Sequence, residues 1–210
     1  MHTTIFPQKR EPVMSSVYTP LTAERLAALS EKDSALRPAE MPIRLYGIVR
    51  ESIVDGPGLR FVVFVQGCPH HCPGCHNPES HDPAGGFSTT TTRIWENLIR
   101  NPSLRGVTFS GGEPFLWAKE LAEVGRCARE RGLDVMTYSG WTWEELLKMA
   151  ASDAGVRDLL SVTRYLVDGP FVQAERDLSL RFRGSRNQHI RDIDRWPASD
   201  EAVLLDDIWK

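Results

Sequence analysis

The sequence predicts an α/β domain in which parallel strands alternate with helices in a partial, open βα barrel. Three observations predict it. Apolar runs rich in Val and Phe recur between amphipathic segments, and each run ends in a polar or glycine-containing turn. The repeating part, residues 43–193, is too short for a closed eight-unit barrel, which takes about 250 residues.

The elements follow in order. RFVVFVQG (60–67) is continuously apolar, as in a strand covered on both faces. TTTTRIWENLIRN (89–101) spaces Ile94 and Leu98 as a helix does. GVTFSGG (106–112) is a short strand ending in glycines, and WAKELAEVGRCARERG (117–132) is an amphipathic helix stopped by Gly132. LDVMTYSG (133–140) is a strand, TWEELLKMAAS (142–152) a helix capped near Thr142, and RYLVDGPF (164–171) a strand running into a turn. In such folds ligands gather beyond the carboxyl ends of the strands. The loops bearing the cysteines, Gly111–Glu113, Ser139–Gly140 and Asp168–Gly169 should therefore share one rim.

The flanks differ in character. Residues 1–42 are punctuated by five prolines and read as a mostly irregular extension with one helix, TAERLAALSEK, capped by Thr22. Residues 194–210 read as an acidic tail. Among 210 residues, 41% are hydrophobic and 25% charged, which is ordinary for a globular protein with a core of its own. No apolar run reaches the roughly 18 residues of a membrane span, and the first residues lack a signal-peptide core, so a cytoplasmic protein with no membrane partner is expected. A net charge of −3 supplies no general attraction to nucleic acid, and none is expected as a partner.

CPHHCPGC (68–75) packs Cys68, Cys72 and Cys75 into eight residues. In a reducing compartment this argues for metal or redox chemistry rather than disulfides. A closed zinc site needs four ligands, and no second Cys-x-x-Cys pair exists. His70, His71 or His76 would complete a strained site, and Cys127, mid-helix, reads as a buried free thiol. An iron–sulfur cubane normally takes four thiolates. Three in one loop would hold three corners and leave one iron open to a small molecule. Pro69 and Pro73 stiffen the loop, while Gly67 and Gly74 let it turn tightly.

The spacing of Cys68, Cys72 and Cys75, followed one helix later by FSGGEP (109–114), resembles that of the radical S-adenosylmethionine enzymes. The resemblance implies a 4Fe-4S cluster whose open iron is chelated by the amino and carboxylate groups of S-adenosylmethionine. One electron then releases methionine and a 5′-deoxyadenosyl radical, which abstracts a hydrogen atom. GIVRESIVDGPGLRFVVFVQGCPHHCPGCHNPES (47–80) is similar to the activases of glycyl radical enzymes. TYSGWTWEEL (137–146) and VDGPFVQAERDLSLRFRGSRNQHI (167–190) resemble the branch that activates anaerobic ribonucleoside-triphosphate reductase.

The resemblance implies an oxidoreductase that forms the glycyl radical of that reductase's large subunit, with flavodoxin or ferredoxin as electron donor. The alternative is an activase of another such enzyme, for example pyruvate formate-lyase. Cys68, Cys72 and Cys75 are the implied cluster ligands. Gly74, Cys75, His76, Ser110, Gly111, Gly112, Glu113, Ser139 and Asp168 are the implied cofactor contacts, with Glu113 accepting from the cofactor's ammonium. Formate-lyase activases carry Asp-Thr-Asn-Gly where TYSG stands, which removes the aspartate credited with a monovalent-cation site. Beside these, His70 and His71 read as exposed loop residues. Trp141 and Trp143 read as packing, Asp168 alternatively as a turn cap, and the arginines between Arg181 and Arg195 as a solvated face, as contacts to the cofactor's carboxylate or as contacts to an acidic partner.

Overall fold

The computed structural model describes residues 36–198 and 202–206; the helix expected at 22–32 lies outside them. One eight-stranded sheet has the order β3-β1-β2-β4-β5-β6-β7-β8. Its strands are β1 (Pro42–Ser52), β2 (Arg60–Val65), β3 (Phe87–Thr90), β4 (Gly106–Gly111), β5 (Asp134–Tyr138), β6 (Tyr165–Asp168), β7 (His189–Asp192) and β8 (Val203–Leu204). The helices are α1 (Thr91–Leu98), α2 (Ala118–Arg131), α3 (Trp143–Ser152) and α4 (Ala154–Val162).

The expectation of parallel strands holds for the centre and needs correction at the edges. β2, β4, β5 and β6 pair in parallel. β1 pairs antiparallel with β2 and β3, and β7 antiparallel with β6 and β8. The reason is connection length. The link from β1 to β2 is a short loop, whereas a parallel return needs a crossover of about a dozen residues or more. The architecture is thus a mixed α/β sheet.

α4 was not anticipated because Asp153 does two jobs. Its N–H closes α3 on the Met149 carbonyl, while its carboxylate accepts from the N–H groups of Gly155 and Val156 to start α4. A residue that ends one helix and opens the next looks like a loop in sequence.

Strand pleating sorts the side chains. Phe61, Val63, Val65, Val107, Phe109, Val135 and Leu166 face the helices and build the main core with Ile94, Leu98, Leu121, Val124, Leu146 and Leu159. Alternate positions face the other way, where Met136, Tyr165, Val167, Ile190 and Leu205 form a second cluster with Tyr138 and Phe182 packed on it. Arg60, the last residue of VDGPGLR, is fully buried on that face. Its Nη1 lies 2.6 Å from Asp134 Oδ1, its Nε donates to Thr108 Oγ1 at 2.6 Å, and its Nη2 donates to the Val107 carbonyl at 2.7 Å. A buried guanidinium needs this full set of acceptors. Gly56 is required beside it. Its φ is +132°, and a Cβ there would meet Met136 Sδ at 2.6 Å and Arg60 Cδ at 2.7 Å.

Because β2, β4, β5 and β6 run in parallel and in register, they all finish at one edge, at Val65, Gly111, Tyr138 and Asp168. The loops that leave this edge build the site.

Candidate active site

These loops and the 53–59 loop surround one cavity of about 650 Å³. Cys68, Cys72, Cys75, His76, Ser110, Gly111, Gly112, Glu113 and Ser139 all border it. Nine of the residues expected from sequence are therefore brought together.

The cysteine loop is shaped by left-handed turns at Gly67 (φ +96°), His71 (φ +47°) and Gly74 (φ +73°). Gly74 itself does not border the cavity; a Cβ there would meet the side chain of Gln173 at 3.0 Å. All three thiols are partly buried, and the Asn77 N–H points at Cys75 Sγ at 3.4 Å. Burial pushes the Cys68 thiol up, the backbone N–H groups of His70 and His71 pull it down, and the nearby Glu113 carboxylate adds to the rise. A coordinating metal reverses that balance by stabilising the thiolate.

Glycines 111 and 112 are demanded by the backbone before any ligand is considered. A Cβ on Gly111 would lie 2.6 Å from Val65 N, and one on Gly112 would lie 2.2 Å from the Gly67 carbonyl oxygen. The end of β4 thus presses against the start of the cysteine loop. The Glu113 N–H donates to that same Gly67 carbonyl at 2.8 Å.

Glu113 is buried, and its carboxylate gathers donors from three loops. Oε1 accepts from Phe115 N–H at 3.1 Å and from Ser139 Oγ at 3.1 Å. Oε2 accepts from Gly140 N–H at 2.8 Å and lies 2.9 Å from His70 Nε2. A carboxylate only accepts, so Nε2 carries the proton. The expectation that His70 is a plain exposed residue needs correction: its ring also meets Trp141 edge-on, with centroids 4.8 Å apart. The signal available in sequence was its place midway between the first two cysteines.

Asp168 stands elsewhere. It shares the helix-facing side of β6 with Leu166, and it does not border the cavity. Its Oδ2 accepts from the Trp143 N–H, at the start of α3, at 2.9 Å, and its Oδ1 accepts from Arg191 Nε at 2.7 Å. The pleat separates it from the site: Val167, not Asp168, faces the cavity side of the sheet. Thr137, which opens TYSG, also lies inward on the helix side, 2.8 Å from Thr163 Oγ1.

Three cysteines from one loop bordering the same cavity suit a cuboidal cluster, which takes its thiolates at separate corners. The cavity wall also carries His81, whose buried Nε2 has no hydrogen-bond partner among the described residues. Tyr138 and Asp55 both line the wall, where burial pushes the tyrosine pKa well up and the Asp55 charge adds to the rise.

Residues 54–191 match the family of 4Fe-4S single cluster domains. The pyruvate formate-lyase-activating enzyme of Clostridium pasteurianum is 39% identical over 114 residues, 50% of this chain and 48% of that protein, so the chain spans about half the length of that relative. The anaerobic ribonucleoside-triphosphate reductase-activating protein of Escherichia coli K12 is 34% identical over 152 residues, covering 67% of this chain and 93% of that protein. Its counterpart in Salmonella typhimurium is 35% identical over 150 residues, with the same shares. The crystal structure of QueE from Escherichia coli matches 52% of this chain and 57% of its own at 15% identity and a TM-score of 0.37, too loose a likeness to bear on the argument.

Proposed function

The chain belongs to the family of anaerobic ribonucleoside-triphosphate reductase-activating proteins, and from that premise we propose that it is an activase that forms the glycyl radical of such a reductase. The observation that carries this reading is the meeting of the three cysteines and the Gly111–Gly112–Glu113 turn on one cavity of about 650 Å³.

Cys68, Cys72 and Cys75 would hold a 4Fe-4S cluster. When bound, the cluster and S-adenosylmethionine supply a 5′-deoxyadenosyl radical able to take one hydrogen atom from a glycine Cα of the partner. The chain's own residues bind, orient and shield. Ser110, Gly111 and Gly112 offer a close backbone approach to the methionine part. Glu113, oriented by Phe115, Ser139 and Gly140, accepts from the ammonium. Phe64 and Tyr138 wall the cavity, and His76 and Asn77 close its cysteine side. Asp168 is a positioning residue: by holding the Trp143 N–H and Arg191 it fixes where α3 begins, and with it the Ser139–Thr142 loop.

In this reading the strands form the open barrel expected from sequence, open at the edge where the partner's glycine enters. The electron donor is a flavodoxin or a ferredoxin. No described helix is long and apolar enough to cross a membrane, and the proposed setting is the cytoplasm. The 39% identity to the Clostridium pasteurianum enzyme favours a second reading, activation of a formate-lyase.

The test is electron paramagnetic resonance of the anaerobically reconstituted, reduced protein with S-adenosylmethionine and the large reductase subunit. A glycyl doublet that needs every component is expected. A doublet only with formate-lyase selects the second reading. Absence of 5′-deoxyadenosine in every mixture overturns both.

A further inference from the structure

Residues 171–188 carry no thiol, and the cluster and cofactor roles above leave them unused. They nevertheless supply a whole wall of the cavity through Phe171, Leu178, Leu180, Phe182, Arg183 and Gln188. The segment is a built hairpin. Arg176 pairs with Ser185, Arg186 N–H donates to the Glu175 carbonyl at 3.0 Å, and Asp177 N–H donates to the Gly184 carbonyl at 3.2 Å. The Gln188 amide locks its base, accepting from Gly184 N–H at 2.9 Å and donating to the Gly169 carbonyl at 3.1 Å. At the tip, Asp177 Oδ1 accepts from both the N–H and the hydroxyl of Ser179, at 3.0 and 2.7 Å. Phe182 holds a left-handed φ of +59°, a conformation that a bulky side chain adopts only when its surroundings impose it.

This rigid hairpin holds apolar side chains out into water. Leu178 is 81% exposed, and the 53–59 loop, which also borders the cavity, offers Ile53 and Val54 at 75% and 72%. These are the three most exposed large hydrophobic residues among those described, and all lie on loops that border the cavity. Isolated exposed apolar residues are ordinary, whereas a group at the rim of a cavity marks a contact surface. Arg176 and Arg181 flank Leu178 and Leu180. Both are exposed and have no ion-pair partner among the described residues, while Arg183 and Arg186 are paired with Asp206 and Asp177.

We propose that the 171–188 hairpin and Ile53–Val54 are the docking surface for the partner's radical-bearing segment, and that this segment carries apolar side chains with carboxylates beside them. The proposal rests on the activase reading and adds the surface that recognises its substrate. Continuity with the cavity argues for that occupant: Leu178 and Val54 both line the cavity, so a chain seated on them meets it. The unpaired arginines choose the sign of its charge.

The test uses Leu178→Asp and Arg181→Glu in the full chain with a bound cluster, neither residue being needed to complete the core. Affinity for the large reductase subunit is measured by calorimetry at two salt concentrations, beside glycyl radical yield, iron content and S-adenosylmethionine affinity. Both variants should bind the subunit at least about tenfold more weakly and lose radical yield in proportion, with native iron content and cofactor affinity. The Arg181→Glu loss should shrink as salt rises. Native affinity and radical yield in both variants overturn the proposal. So does a rim that instead joins two copies of this chain, seen as a native dimer made monomeric by Leu178→Asp with reductase binding intact. If the unaltered protein cleaves S-adenosylmethionine yet radicalises neither a reductase nor a formate-lyase, the activase reading itself falls and takes the docking surface with it.

Discussion

His70 Nε2 donates to Glu113 Oε2 across 2.9 Å, joining the loop of the three cysteines to the turn after β4. Both groups are shielded, Glu113 almost completely. The bond registers the cysteine loop against Ser139 and Gly140, which hold the same carboxylate. His70→Ala should therefore leave iron content unchanged, because every thiol remains, while weakening S-adenosylmethionine binding by roughly ten- to a hundredfold, the usual scale for a hydrogen bond to a charged group. His70→Gln, which keeps a donor, should recover part of the loss. Iron analysis and equilibrium cofactor binding check this. A fall in iron for His70→Ala would make the residue part of the cluster's own support.

Asp134 carries two guanidinium contacts, Arg60 at 2.6 Å and Arg105 at 3.0 Å. Removing it leaves the fully buried Arg60 charge without its counter-ion. Asp134→Ala should cost about 3–5 kcal/mol of stability, read as a lower urea midpoint with unchanged m-value. A double variant that replaces Arg60 by Met as well should regain much of that loss.

Cys127 sits on α2 in the main core, and burial pushes its thiol up to about 11. At pH 8 almost no thiolate is present in the folded protein. Iodoacetamide at that pH should label Cys127 only after unfolding, and Cys127→Ala should bind as much iron and sulfide as the native chain. Loss of a full cluster equivalent in this variant would contradict the assignment of ligands.

Asp206 is opposed by burial, yet the Ile190 N–H, His189 and Arg183 outweigh it and hold its carboxyl below the usual range. A depressed carboxyl contributes stability that is fully present above its unfolded pKa and is lost as pH falls through the lower folded value. The clasp of β8 on β7 should hold at neutral pH and release only below the ordinary carboxylate range of about 3.9. The Ile190 amide resonance, bonded to Asp206 Oδ1 at 2.8 Å, reports it. Asp206→Asn should shift that resonance already at neutral pH.

The four central strands and three of the helices were legible because their apolar periods are long and their stops are glycines or caps. The antiparallel edges were not. β7 and β8 are short, and β1 alternates buried and exposed residues only along its first half. In the site, cysteines and glycines announce themselves by spacing. The side on which Asp168 lies was not legible, because a one-residue step along a strand reverses the direction of a side chain, and the end of a strand gives no marker of which step faces the cavity. His70 was overlooked because its partner lies 43 residues away, a separation that no local pattern encodes.

The Asp206 carboxylate grips Arg183 Nη1 at 2.6 Å, and Arg183 belongs to the cavity wall. The strand pair β7–β8 therefore braces that wall from behind. Loosening the brace, as Asp206→Asn would, should disturb how the protein treats a macromolecular substrate while leaving its iron chemistry untouched.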